Sequence, residues 1–239
     1  MLLIPLVNTM YLPLDHNNGH VHSLVTAVDK GIPFDKIFVV PYAAWYLFIF
    51  AILVWFMFKD RDLYFTAILA IVTGLFISFA IFSVFQTSVP RPVILGHDFF
   101  SRLTRIIYHF DAPYNGFPSI HVMTSFVVFL GSKRAMRFSR KIPLLAQGMA
   151  VLVILSTLFL KQHTLLDVAG GLMLGGILFV LSSKAVSALK LIETGNPGGV
   201  RWSEKIPLYN TFLNIPVIFH ITKEITLSYV VKWFQPNQL

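Results

Sequence analysis

The sequence predicts an all-α, polytopic membrane helix bundle of about six transmembrane helices. Two observations carry this prediction. Of the 239 residues, 56% are hydrophobic and only 13% are charged, with a mean hydropathy of +0.71, so a soluble globule of this size would expose a very large apolar surface. The apolar residues are also gathered in stretches of about 20, the length that crosses a bilayer as a helix.

The apolar stretches follow one another along the chain. The first, Met1–Leu14, is short and contains Pro5 and Pro13; we expect an abbreviated first span, with an interfacial segment as the alternative. Five further spans are predicted at Val39–Phe58, Leu63–Phe85, Pro118–Ala135, Pro143–Leu160 and Thr164–Ser183. In the last of these, Gly171 and Gly175 are four residues apart, a spacing typical of close helix packing in membranes.

The chain is predicted to divide near residue 192. Residues 1–192 form the membrane-embedded domain, and residues 193–239 form a linker and an interfacial tail. The glycine-rich segment Thr194–Gly199 supports this division. In the tail that follows, aromatic residues alternate with lysines, a pattern that suits a membrane surface.

Lys and Arg predict the orientation, because these residues accumulate on the cytoplasmic side of short connections. Thirteen of the 19 lie in Phe58–Leu63, in Lys133–Lys141 or beyond Ser183, which is one side if the spans alternate. The remaining six, among them Arg91 and Lys161, lie on the opposite side with the residues discussed next. We therefore expect a multi-pass protein of the cell membrane whose site faces away from the cytoplasm.

The net charge of +8 is explained by the basic residues that orient the spans. We therefore expect no nucleic-acid partner.

His163 and Asp167 are four residues apart at the start of a predicted helix, so both lie on one face. A hydrogen bond from the imidazole to the carboxylate would fix the tautomer and leave the other ring nitrogen free as a nucleophile. An interfacial histidine beside an aspartate that favours the positive end of a helix would have the same sequence.

Two further elements suit phosphate chemistry. Ser119 can cap a helix that begins before His121, so the hydroxyl could bind a phosphate oxygen while the imidazole protonates a leaving alcohol. Arg91, between two prolines, presents a guanidinium from a stiff loop, and its planar donors match phosphate. Taken singly, each has an ordinary explanation as a helix cap or an interfacial side chain. Together they supply a nucleophile, an acid and an anion clamp on one membrane face.

These motifs resemble the type-2 phosphatidic acid phosphatase superfamily, related to vanadium haloperoxidases, whose pattern is Lys-x6-Arg-Pro, Pro-Ser-Gly-His and Ser-Arg-x5-His-x3-Asp. The matching residues are Arg91-Pro92, Pro118-Ser119 with His121, and Ser156 with His163 and Asp167. The resemblance implies that His163 attacks phosphorus, that Asp167 orients it and that His121 protonates the leaving group. It also implies that no metal or other cofactor is needed.

Three positions depart from the family pattern. The lysine is Val84, the arginine is Thr157 and the glycine is Ile120. Two cationic phosphate ligands are therefore missing, and we expect Lys161, near His163, to replace that charge. Arg102 and Arg105 are the alternatives. The larger residue in place of the glycine is similar to the inositol phosphorylceramide synthase branch.

The predicted function is a metal-independent membrane phosphatase that hydrolyses a lipid phosphate monoester or pyrophosphate through a phosphohistidine. Its partners would be the lipid substrate and the bilayer, and the sequence does not indicate an oligomeric state. Three alternatives stay open at this stage. They are a lipid phosphotransferase, a metal-dependent hydrolase with His121, His163 and Asp167 as ligands, and a lipid-binding or transport protein without chemistry.

Overall fold

The computed structural model describes residues 19–194, and the side chains of residues 19–190. The predicted first span, Met1–Leu14, lies outside the described residues, as do residues 195–239 of the predicted linker and tail, 193–239. Both stay predictions, as does the domain division near residue 192.

The described chain is mainly helical, as predicted. Its elements in order are β1 (Val21–His22), α1 (Ala27–Gly31), a 3-10 helix (Lys36–Phe38), α2 (Val39–Ala43), α3 (Trp45–Lys59), α4 (Arg61–Val84), β2 (Gln86–Thr87), α5 (Phe99–Phe110), α6 (Ile120–Ala135), α7 (Lys141–Phe159) and α8 (Leu165–Thr194). The strands β1 and β2 pair in parallel. They place the segment before α1 beside the end of α4.

Four helical segments in the described part are long and apolar enough to cross a membrane. They are Lys36–Lys59, Arg61–Val84, Lys141–Phe159 and Leu165–Lys190, and they confirm four of the predicted spans. The fifth predicted span, Pro118–Ala135, is the shorter helix α6 of 16 residues. At 1.5 Å per residue it is about 24 Å long, less than the hydrocarbon core of about 30 Å.

Helix α6 lies at the centre of the bundle, where it contacts α3, α4 and α7. Its side chains Met123, Val127 and Val128 are fully buried in one apolar cluster with residues of the neighbouring helices, such as Leu53 and Ile71. A helix that is surrounded by other helices need not match the bilayer thickness itself. Its beginning can therefore lie below the membrane surface and carry polar side chains.

Helices α6 and α8 approach closely through glycine, as the spacing of Gly171 and Gly175 predicts. A Cβ on Gly171 would lie 2.7 Å from the carbonyl oxygen of Ser119, and one on Gly175 would lie 2.8 Å from that of Met123. Both neighbours are backbone atoms, which cannot rotate away. The contact therefore sets the position of the N-terminal half of α8 relative to α6.

Helix α5 is strongly amphipathic and is not a span. Its inner residues Phe100, Leu103 and Ile107 pack on a second apolar cluster formed by Val39, Tyr42 and Leu160. Its outer residues include Phe99, Ile106 and Phe110, which are exposed. A helix with packed inner and apolar outer side chains suits the membrane interface.

We predict that Gly175→Ala destabilises the bundle by about 1 to 3 kcal/mol, because the added methyl group meets the α6 backbone. The measurement is thermal or denaturant unfolding of the purified protein in detergent. Gly148→Ala in α7 is the matched control, since a Cβ at Gly148 would meet nothing within 4 Å. An equal effect of the two substitutions would contradict the close contact between α6 and α8.

Candidate active site

A tight turn between α7 and α8 presents His163. The N–H groups of Gln162 and His163 both donate to the carbonyl oxygen of Thr157, at 2.9 and 3.1 Å. The turn also holds Lys161 at a φ of 52°, in the left-handed region that few side chains adopt. These bonds end α7 and aim the histidine back into the protein, where its side chain is 9% exposed.

The imidazole of His163 is oriented by a backbone carbonyl. Its Nδ1 lies 3.1 Å from the carbonyl oxygen of Gly116. Because a carbonyl oxygen can only accept a hydrogen bond, Nδ1 carries the proton in the neutral ring. The lone pair is then on Nε2, on the far side of the ring, as a nucleophile requires.

Asp167 does not form the hydrogen bond to His163 that the sequence predicts. Its Oδ2 lies 3.7 Å from Nδ1 of His163 and instead accepts the N–H of Thr164 at 2.7 Å. The carboxylate is 1% exposed and caps the start of α8. It still places a negative charge beside the imidazole, where it favours any positive charge that develops on the ring. The orienting role falls to Gly116.

The carbonyl of Gly116 is positioned by β2. The Gly116 N–H donates to the carbonyl oxygen of Thr87 at 3.4 Å, and the hydroxyl of Thr87 accepts the N–H of Phe117 at 2.9 Å. A Cβ on Gly116 would lie 3.0 Å from both that hydroxyl and Oδ2 of Asp167. A side chain at this position would therefore press on both the Thr87 hydroxyl and the Asp167 carboxylate.

His121 lies in the first turn of α6 and faces His163 across the site, with ring centroids 5.7 Å apart. Two aromatic rings hold it. Tyr42 stacks on it at 4.5 Å and Trp45 contacts it at 4.1 Å. The Trp45 indole N–H is itself fixed by the hydroxyl of Thr124 at 2.9 Å. The two histidines are thus opposite each other in a rigid setting.

Ser119 is the N-cap of α6, as predicted. Its hydroxyl accepts the N–H of Val122 at 3.3 Å, and the residue is fully buried. Its own N–H donates to the carbonyl oxygen of Asp167 at 3.1 Å. This bond joins the beginnings of α6 and α8, the two helix starts that carry His121 and Asp167.

Arg91 reaches the site, but its outer nitrogens are engaged. The guanidinium donates to the carbonyl oxygens of Tyr108, Asp111 and Ala112 at the end of α5. It also donates to the side-chain oxygen of Gln162. The positive charge therefore lies next to the residue that precedes His163. It simultaneously ties α5 to the histidine turn.

Tyr108 makes the second tie between α5 and this turn. Its hydroxyl donates to the carbonyl oxygen of Leu160 at 2.6 Å, and the guanidinium of Arg91 lies over its ring at 4.6 Å. Burial raises the pKa of Tyr108 to about 12, so the phenol keeps the proton that this hydrogen bond needs.

Lys161 is placed differently from the prediction. Its ammonium donates to the carbonyl oxygens of Asp29, at 2.8 Å, and Ile32, which are at the end of α1. The carboxylate of Asp29 in turn accepts the N–H of Leu165 at 2.8 Å. The predicted phosphate ligand thus anchors the histidine turn to α1, and in this arrangement its charge points at backbone oxygens.

Val84 and Thr157 stand where the family pattern has a lysine and an arginine, so both positions lack a positive charge. Val84 is 82% exposed at the end of α4, and Thr157 is buried with its hydroxyl on the carbonyl oxygen of Ile154 at 2.7 Å. The alternative Arg105 donates to the carbonyl oxygens of Ile94 and Gly96. Arg102, the other alternative, is exposed.

Within residues 19–190, no three His, Asp, Glu or Cys side chains are grouped so as to hold a metal ion. His121, His163 and Asp167 are thus not gathered around one point in this structure. His163 is turned instead to a backbone carbonyl, and Asp167 to a backbone N–H.

The comparisons with known proteins identify the family. The family model of the PAP2 superfamily matches residues 12–181, which is more than half of the chain and includes every motif described above. The chain belongs to the PAP2 superfamily. No curated protein and no solved structure matches it. Together with the four apolar helices, membership makes this protein a phosphatase-type membrane enzyme.

In this PAP2 protein the three motifs lie together: Arg91 donates to Gln162, Ser119 donates to Asp167, and His121 faces His163. The roles of these residues stay predictions. Several contributors were missed: the Gly116 carbonyl, the side chains of Asp29 and Gln162, and the aromatic pair Tyr42 and Trp45. A backbone carbonyl has no signature in residue type. The pair of aromatic residues near the start of the span Val39–Phe58, and the Gln next to the histidine, are visible in the sequence, but neither feature indicates a functional role there.

We predict that Lys161→Met lowers the stability of the PAP2 fold by about 1.5 to 3 kcal/mol, because two carbonyl oxygens lose a charged donor. Unfolding in detergent measures this. Lys30→Met is the matched control, since Lys30 lies in α1 as well but is exposed. A stable Lys161→Met protein with a strongly raised KM would instead support the phosphate-ligand role predicted from the sequence.

Proposed function

We propose that this protein is a metal-independent lipid phosphate phosphatase that works through a phosphohistidine at His163. One observation carries the proposal. The Nδ1 proton of His163 is held by the carbonyl of Gly116 at 3.1 Å, so the Nε2 lone pair is available, and a second histidine faces it at 5.7 Å. Nucleophile and proton donor are the two groups that phosphoryl transfer to a side chain requires.

In the first step, Nε2 of His163 attacks phosphorus and the bond from phosphorus to the lipid oxygen breaks. His121, protonated, gives its proton to that oxygen, and a neutral lipid alcohol leaves. The positive charge on the phosphorylated imidazole is favoured by the carboxylate of Asp167, 3.7 Å from Nδ1. In the second step His121 takes a proton from water, the water oxygen attacks phosphorus, and the N–P bond breaks. Phosphate leaves and both histidines are restored.

The phosphate group would bind at Arg91 and at the beginning of α6. The guanidinium donates to the side-chain oxygen of Gln162, next to His163, and its donors match phosphate oxygens. The N–H groups in the first turn of α6, which Ser119 caps, favour an anion. Phosphate binding would then replace some of the carbonyl contacts of Arg91.

Lipid access is supported by the surface around α5. Val93 and Leu95 are each 82% exposed, and Phe99 is 66% exposed. Apolar side chains in this position suit insertion at the headgroup level of the bilayer. A lipid whose headgroup reaches the histidines would keep its tails in the membrane.

A lipid phosphotransferase is the second candidate, favoured by the charge of the site. A phosphate monoester carries up to two negative charges and a diester carries one. With Val84 and Thr157 neutral and Lys161 turned to α1, the single guanidinium of Arg91 matches a diester better. Transfer would use the same first step and replace water by a lipid hydroxyl.

We predict that the purified protein releases phosphate from at least one lipid phosphate in excess EDTA, and that His163→Ala lowers kcat by at least about 10³-fold because the nucleophile is lost. The panel should contain phosphatidic acid, a polyprenyl pyrophosphate and a phosphodiester lipid, with and without a lipid alcohol as acceptor. Phosphate release and lipid products are both measured.

The matched control for this assay is His109→Ala, since His109 is exposed on α5 and lies outside the proposed chemistry. Full turnover by His163→Ala would refute the mechanism. Loss of activity in EDTA would refute metal independence. A new phosphodiester product with the acceptor, without free phosphate, would select the transferase.

We also predict that Asp167→Asn lowers kcat on the order of 10²-fold, while the protein stays folded. An asparagine side-chain oxygen can still accept the N–H of Thr164, so the cap on α8 is kept, whereas the negative charge beside His163 is lost. Steady-state kinetics with the accepted lipid and the unfolding temperature are the measurements. An unchanged kcat would show that the carboxylate acts only as a cap.

A further inference from the structure

Three buried polar atoms without a hydrogen-bond partner belong to the motif residues. They are Nε of Arg91, Nε2 of Gln162 and Oδ1 of Asp167. The other such atoms in the described residues are hydroxyls of serines in α4 and α6. An unpaired buried N–H costs free energy, and native proteins leave few of them without a role. Two of the three motif atoms are donors, on side chains that are bonded to each other.

The orientation of the Gln162 amide follows from its partner. A guanidinium only donates hydrogen bonds, so the atom that faces Arg91 must be the side-chain oxygen. The NH₂ group is then on the other branch of the amide, where it has no acceptor. The side chain is 95% buried, since Gln162 is 5% exposed, and the residue directly precedes His163.

Few other side chains near His163 could donate a hydrogen bond to a phosphate oxygen. The two cationic positions that the family pattern places here hold Val84 and Thr157, and the ammonium of Lys161 is engaged by the carbonyls of Asp29 and Ile32. The Gln162 amide and Arg91 therefore remain as side-chain donors joined to the histidine turn. A neutral amide donor can bind a phosphate oxygen without adding charge.

We propose that Gln162 is a phosphate-binding residue, and that its NH₂ group and the guanidinium of Arg91 together form the oxyanion cradle beside His163. The oxygen of the amide holds Arg91 in place while the nitrogen donates to a phosphate oxygen. This inference rests on the proposed function for its substrate, a lipid phosphate, but its binding step can be measured without turnover.

The test compares two substitutions of Gln162. Gln162→Glu keeps an oxygen for Arg91, and so keeps the fold of the turn, but removes the donor. Gln162→Met removes the donor without adding a negative charge. The matched control is Gln147→Glu in α7, whose amide donates to the carbonyl of Pro143, outside the motif residues. Calorimetric titration with inorganic phosphate gives Kd, turnover of the accepted lipid phosphate gives KM and kcat, and the unfolding temperature reports the fold.

We expect both Gln162 variants to bind inorganic phosphate at least about tenfold more weakly than the parent and to raise KM by a similar factor. Gln147→Glu should leave both constants unchanged. An unchanged Kd in Gln162→Met, with parent binding intact, would overturn this inference and leave the proposed function standing. Weakened phosphate binding in the variants, with no lipid hydrolysed by the parent, would support the cradle and overturn the proposed function. A parent that binds no inorganic phosphate would overturn the cradle, whereas the proposed function is judged by lipid hydrolysis alone.

Discussion

The hydrogen bond from His163 to the carbonyl of Gly116 is the interaction on which the site depends. It fixes which ring nitrogen is free, and it forms because the loop between α5 and α6 meets the turn after α7, where Nδ1 of His163 lies 3.1 Å from the Gly116 carbonyl oxygen. Thr87 sets the loop through bonds to Gly116 and Phe117. The carbonyl of Thr157 sets the turn. The sequence predicts that the side chain of Asp167 orients His163. In the structure, the backbone carbonyl groups of Gly116 and Thr157 orient it instead.

The membrane bundle supports this bond by holding α6 and α8 together. Glycines in α8 let the two backbones touch, at the level of Ser119 and Met123. Because hydrocarbon offers no hydrophobic driving force between helices, such close packing is a main source of affinity between them. The beginning of α6, with His121, is packed inside the protein, where Tyr42 and Trp45 contact the imidazole.

The sequence predicted the fold class, four spans in the described part and the meeting of the three motifs, because apolar length and motif spacing are local signals. The predicted span Pro118–Ala135 is the helix α6, Ile120–Ala135, which is shorter than the other spans and is surrounded by them. The sequence also assigned Lys161 to phosphate and the Asp167 carboxylate to the imidazole. The Asp167 carboxylate accepts the N–H of Thr164, three residues away. The ammonium of Lys161 donates to the carbonyl oxygens of Asp29 and Ile32, contacts that depend on how distant segments pack, and its phosphate role stays a prediction. The bond of Asp29 to Leu165, which spans 136 positions, depends on such packing too.

The anchoring of the histidine turn by α1 has a consequence for biosynthesis. Asp29 and Lys161 are joined across 132 positions of the chain, and the glycine contacts require that α8 be in place. A ribosome therefore releases α1 long before its partner exists. The turn cannot adopt its final shape until the last described helix has entered the bilayer and docked. Truncated or incompletely inserted chains should consequently lack the site, which limits catalysis to fully assembled molecules.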